Sequence, residues 1–198
     1  MTERTRDALT GARGVTTTAL LSAAAGVLMF LDFALPIFPT FIKMDISNVP
    51  ALIASFAMGP RAAVAVEFIK NVFNISHTST GGVGEMASFV IGVSYVVPAG
   101  IIYRRHKTMK RACASMAAGV LVSTCVAATA NYFVLIPLYS RIIPMETIIG
   151  AYMAVNPYAT TLGRVVIMSV VPFNLLKGTV AAFVTMAVYK RLSPIIKG

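Results

Sequence analysis

The chain has 198 residues, of which 57% are hydrophobic and only 12% charged, and its mean hydropathy is +0.79. Soluble domains carry about 25% charged residues, so these values exclude a soluble globular domain, a disordered chain and a disulfide-stapled secreted module. The formal net charge is +10, from 17 Lys and Arg against 7 Asp and Glu. Nucleic acid is one partner such a charge suggests, and the placement of the charges decides against it.

At roughly 20 residues per span, this length admits about five to seven membrane helices. Residues 1–14 are polar and carry Arg4, Arg6 and Arg13, and the uncharged run Val15–Leu31 follows. Its small residues lie inside the run rather than after it, so the run reads as a retained first span and not as a cleaved signal. Residues 35–50 contain Pro36, Pro39 and Pro50 and form a loop, with Ser47 or Asn48 as a helix cap. Ala51–Met58 and Ala62–Phe73 are short apolar stretches on either side of Gly59-Pro60-Arg61, and read as two short spans. Residues 74–84 are rich in Ser, Thr and Gly and read as loop.

Met86–Tyr103 is an uncharged run of eighteen residues, and Arg104–Arg111 is the densest charge cluster in the chain. Ala112–Ser140 is a longer uncharged run, broken by Pro137. Residues 141–157 form a loop with room for a short surface helix, and 159–189 is the last span, interrupted by Arg164, Pro172 and Lys177. The expected architecture is an all-α integral membrane protein in one domain. It has a cytoplasmic segment 1–14, a bundle of six transmembrane helices over 15–189, and a cytoplasmic tail 190–198.

Basic residues mark the cytoplasmic side. With both termini inside, three of them lie at the N-terminus, one at Arg61, five in the 104–111 run and three in the tail, twelve of the seventeen. A single span over 51–73 would put the N-terminus and the 104–111 run on opposite sides, so the asymmetry favours six spans. The positive charge is then topological anchoring against anionic lipid headgroups, and no nucleic acid is needed.

Polar residues inside spans are the informative ones, because each is costly in lipid. Asn174 and Lys177 are three apart, on one helical face, just after Pro172. Asn131 interrupts the longest apolar run. Each reads either as part of a ligand site facing the bundle interior or as interhelical hydrogen bonding, and Lys177 also as a snorkelling lysine. Glu67 and Lys70 read as a self-neutralising pair at i, i+3, and Glu85 as a first-turn carboxylate favoured by the helix dipole. Ala19 and Ala23, with Ser22 to Gly26 widening the same small surface, suit either docking to another membrane protein or packing within the bundle.

Cys113 and Cys125 are twelve residues apart, roughly 18 Å along a helix, and read as two buried core residues. No CxxC or HExxH spacing occurs and His77 and His106 are isolated, so no metal site is expected. The chain has no GxxxxGK[ST] and no nucleophile–base set, so neither ATP hydrolysis nor other catalysis is expected of it.

In order along the chain stand ALLSA, MDISNVPALIASFAMGPRAAVAVEFIKN, GGVGEMASFVIGVS, NYFVLIPLY and PFNLLKG. This series resembles the riboflavin-type substrate-binding (S) component of energy-coupling factor vitamin importers, over roughly residues 15–190. The resemblance implies six helices in a bacterial cell membrane with both termini cytoplasmic. It also implies a pocket near the outer side, lined by the loop after the first helix and by helices four to six. Asn131, Asn174 and Lys177 would then hydrogen-bond riboflavin, chiefly at its ribityl hydroxyls, with Lys43, Met44, Asp45 and Ser88 as further candidates. Ala19 and Ala23 would dock the transmembrane coupling (T) subunit, two cytoplasmic ATPases would supply energy, and riboflavin would be cargo with no cofactor required. Lys43 and Ser88 depart from the family pattern, and a loop lysine would favour a phosphorylated flavin. The rival readings are an S component for FMN, another vitamin or a nucleobase, a self-sufficient secondary transporter, and a membrane enzyme.

Overall fold

A computed structural model of the chain describes residues 11–76, 78, 81–105 and 107–197, with side chains to residue 188. Arg4, Arg6, His77 and His106, and the side chains of Lys190, Arg191 and Lys197, lie outside the described residues.

Helix α1 spans Ala12–Phe30, so the first helix begins before residue 15. The loop that follows is pinned by a two-residue ribbon, β1 (Phe33–Ala34) against β2 (Lys43–Met44), with Phe33 opposite Met44 and Ala34 opposite Lys43. This ribbon is the one departure from an all-helical chain among the described residues. Helix α2 (Asn48–Ala57) and helix α3 (Pro60–Ile75) are separate elements. Gly59 between them has φ 108°, a conformation that an L side chain resists, and Pro60 then opens α3 at a position where its missing N–H costs nothing.

Helix α4 covers Val83–Arg105 and helix α5 covers Met109–Ala130. Helix α5 continues through a π-helical turn, Asn131–Leu135, into α6 (Ile136–Tyr139). Helix α7 (Met145–Met153) is the short helix for which residues 141–157 had room. Helix α8 (Leu162–Val165) passes through a second π-helical turn, Val166–Val170, into α9 (Val171–Lys197). The last helix therefore runs past residue 189, because Lys190 and Arg191 are good helix formers and do not end it.

Both π-helical turns are followed within two residues by a proline, Pro137 and Pro172. Proline offers no N–H to the carbonyl four residues back, which frees the chain to re-register. Pro98 lies inside an unbroken α4, so proline alone does not dictate the wider turn.

Four helical stretches among the described residues are long and apolar enough to cross a membrane: Ala12–Phe30, Val83–Arg105, Met109–Tyr139 and Leu162–Val188. By contrast α2, with 10 residues, rises only about 15 Å, and α3, with 16, about 24 Å. Helix α2 is buried on every side from Val49 to Phe56. A helix apolar all round belongs in a core, and α1, α3, α4 and α9 pack around this one.

Two expectations about helix faces are corrected. Cys113 and Cys125 are exposed on the outer surface of α5 rather than buried. On α1, Ser22, Ala25 and Gly26 turn inward, whereas Ala19 and Ala23 are exposed. The small residues of α1 thus divide between two faces. An apolar run cannot separate inside from outside here, because lipid is as apolar as the protein interior.

Candidate functional site

A cavity of about 220 Å³ opens between α4, α5 and α9. Gly84, Ala87, Ser88, Ile91, Gly92 and Tyr95 of α4 form one wall, and Ser123 and Asn131 a second. Val170, Phe173, Asn174, Lys177 and Gly178 form the third, and Ile42 of the first loop and Asn48 of α2 complete the lining. A second cavity, about 520 Å³, lies between residues 34–41 and α7, but no charged side chain lines it. Ligand sites combine an apolar body with a few convergent polar groups. The smaller cavity has that composition and the larger does not.

Asn131, Asn174 and Lys177 all line the smaller cavity, together with Ser88. Asn131 is the first residue of one π-helical turn, and Asn174 follows the other by four positions. Their amides are held in the same way. Asn131 Nδ2 donates to the Ala127 carbonyl at 2.8 Å, and Asn174 Nδ2 to the Val170 carbonyl at 2.9 Å. Each amide keeps a second N–H and its oxygen, so each offers the cavity a donor and an acceptor, as alternating hydroxyls require. Wide helical turns of this kind recur at functional sites.

Among the described residues, Lys177 is the only charged one lining this cavity. Its Nζ lies 2.6 Å from Asp45 Oδ2, an ion pair between α9 and the first loop. The backbone N–H of Ser47 donates to the other oxygen, Oδ1, at 2.9 Å. Burial acts to raise the Asp45 carboxyl, but the nearby Lys177 and Lys70 ammoniums and the hydrogen bonds from Lys177 and Ser47 outweigh it. The carboxyl is held at about 2, below its ordinary 3.8.

A second ion pair lies behind the cavity wall. Lys70 Nζ is 2.9 Å from Glu67 Oε2 and 3.0 Å from Oε1, and both side chains are fully buried. Lys70 also donates to Asn48 Oδ1 at 2.6 Å and to Ser47 Oγ at 3.1 Å. The ammonium thereby fastens the end of the first loop and the start of α2 to α3. Gly92 packs directly on the Glu67 carboxylate, and any side chain there would collide with it. Glu85, near the start of α4, accepts from Asn74 Nδ2 at 3.1 Å and Thr78 Oγ1 at 2.9 Å, which ties down the α3–α4 connection.

The remaining candidates fall elsewhere. Lys43 pairs with Asp32 at 3.1 Å, is half exposed and does not line the cavity. Met44 is buried with Phe38 and Phe173, so it backs the cavity through Phe173. The loop grips the bundle by two edge-to-face ring contacts, Phe38 on Phe173 at 5.2 Å and Phe41 on Tyr152 at 5.3 Å. Asn48, Tyr95, Ser123 and Phe173 line the cavity but went unnoticed in the sequence as site residues. Asn48 was legible only as a helix cap, and Tyr95 and Ser123 stand in apolar runs without a distinguishing pattern.

Comparison with known proteins accords with this geometry. Residues 13–189 match the family model described as "ECF transporter, substrate-specific component". The chain is 34% identical to the riboflavin transporter RibU of Staphylococcus aureus over 181 residues, covering 91% of this chain and 90% of that protein. It is 32% identical to the riboflavin transporter FmnP of Bacillus subtilis over 181 residues, with 90% of each covered. A solved structure, described as the S component of a bacterial ECF transporter, superposes with a TM-score of 0.73 at 32% identity, covering 93% of this chain and 97% of that one. The members of this family are transport components, not enzymes. The chain belongs to the substrate-specific (S) component family of ECF transporters.

Proposed function

We propose that the chain is the riboflavin-capture subunit of an ATP-driven vitamin importer. It forms a single six-helix domain in a bacterial cell membrane, with both termini cytoplasmic. The observation that carries this reading is the meeting of Asn131, Asn174 and Lys177 on one cavity whose other lining residues are all uncharged. A flavin has the matching halves: a flat apolar ring system for the wall at Ile91 and Phe173, and a polyol tail for the two amides and the ammonium. The names of the relatives point to the same ligand.

The cavity, at about 220 Å³, is smaller than the roughly 300–1,000 Å³ usual for ligand sites. The loop over residues 31–47 therefore shifts to admit a flavin and then closes on it. Asn131, Asn174 and Lys177 orient the tail, and Ser88 and Asn48 stand at the same surface. Riboflavin is cargo, so no cofactor takes part. Exposed Ala19 and Ala23 on α1 provide a flat small-residue face for the coupling (T) subunit, and two cytoplasmic ATPases on that subunit drive release inside.

The absorbance spectrum of the detergent-purified protein tests the reading. Flavin bands that co-purify with the wild type, and are lost in Asn174→Ala, are expected. A colourless wild type that leaves added riboflavin unbound would refute it.

A further inference from the structure

We propose that Asp45 is a specificity-determining residue that cancels the charge of Lys177 and so selects an uncharged flavin over its phosphate ester. This inference rests on the riboflavin reading above and concerns a residue that does not itself line the cavity.

The argument begins with charge. Among the described residues, Lys177 is the one ionised group on the cavity surface. Alone, it would attract an anion, and even a partly buried ammonium without a partner is costly. Asp45 removes both effects, because its Oδ2 is 2.6 Å from Lys177 Nζ. The carboxylate is not free to swing away, since the Ser47 N–H holds its other oxygen. Behind the wall, Lys70 is matched in the same way by Glu67. Two cations face two carboxylates, so the field at the cavity is close to neutral.

A polyol loses nothing in such a field. One of the three Lys177 protons points to Asp45, and the other two remain for hydroxyl oxygens. A phosphate ester, carrying up to two negative charges, meets no net cation and must shed its water against a fixed carboxylate. A single unit charge a few ångströms away, at an effective dielectric constant of about 20, changes an anion's affinity by one or more factors of ten. Lys43, the other loop lysine, is drawn off by Asp32 at 3.1 Å and does not supply the missing positive charge.

The test is the ratio of two dissociation constants, for riboflavin and for riboflavin 5′-phosphate, measured by quenching of flavin fluorescence on purified protein. Wild type is expected to bind riboflavin more tightly. Asp45→Asn is expected to move the ratio toward the phosphate ester by at least about tenfold, or about 1.4 kcal/mol. Lys177→Gln is expected to move it the opposite way, even though both ligands bind more weakly. The double variant should return to near the wild-type ratio, and Lys43→Gln should leave the ratio unchanged. If Asp45→Asn fails to fold, Lys177→Gln reads the same charge with the opposite sign.

Riboflavin binding that survives with an unchanged ratio in both single variants would overturn the role of Asp45. So would a wild type that prefers the phosphate ester. A wild type that binds neither flavin would instead remove the riboflavin reading, and the role of Asp45 with it.

Discussion

Lys177 Nζ and Asp45 Oδ2 are 2.6 Å apart in space and their residues 132 positions apart in sequence. The contact joins the last long helix to the loop after the first, beside a cavity whose other polar side chains are amides and hydroxyls. The pair thereby fastens the first loop to the last helix beside the cavity.

Removing either the Asn131 or the Asn174 amide should cost affinity without unfolding the chain. Asn174→Ala deletes an amide that offers one donor and one acceptor to the cavity, and each neutral hydrogen bond is worth about 1 kcal/mol. A fall in riboflavin affinity of roughly tenfold or more is expected, read by fluorescence titration, with the melting temperature changed by only a few degrees. Affinity equal to wild type in both Asn174→Ala and Asn131→Ala would remove these residues from the site.

Acid should weaken the loop contact in a defined window. Asp45 is held at about 2 when folded, against 3.8 ordinarily, so the unfolded chain takes up the proton first as pH falls. The stabilisation is fully present above about pH 4 and disappears as pH falls through about 2. It amounts to about 2 kcal/mol at 1.36 kcal/mol per pH unit. The stability difference between wild type and Asp45→Asn should stay constant from pH 7 to about 4.5 and close toward pH 2. A difference that persists at the acid end would show that the carboxylate is not its source.

The Glu67–Lys70 pair should behave as a unit. Both side chains are fully buried, so Glu67→Ala leaves an unmatched ammonium inside the bundle, at a cost of about 3–5 kcal/mol. A marked drop in melting temperature in detergent is expected for Glu67→Ala and for Lys70→Met alone. Glu67→Ala combined with Lys70→Met should recover most of it. A double variant as unstable as the sum of its parts would mean that the two charges act independently.

The two faces of α1 can be separated experimentally. Ala19 and Ala23 are exposed, whereas Ser22 is buried. Ala19→Leu and Ala23→Leu should leave flavin affinity at the wild-type value but abolish co-purification of the coupling subunit. Ser22→Leu should instead destabilise the chain itself. Co-purification that survives in Ala19→Leu/Ala23→Leu would assign the docking face elsewhere.

The sequence by itself determined the membrane character, the helix runs, the break at Gly59-Pro60 and the helix irregularities near Pro137 and Pro172, because composition and backbone chemistry act locally. It also marked Asn131, Asn174 and Lys177, since polar groups in apolar runs must find partners. Only the tertiary structure decided that these three share one cavity, that Asp45 meets Lys177 while Lys43 pairs with Asp32, and that Asn48, Tyr95 and Ser123 stand beside them. The same holds for Cys113 and Cys125, which face outward. The physical reason is that contacts between distant segments depend on how helices rotate and cross. In lipid, where the outside of a helix is as apolar as the inside, hydrophobic periodicity does not record that rotation.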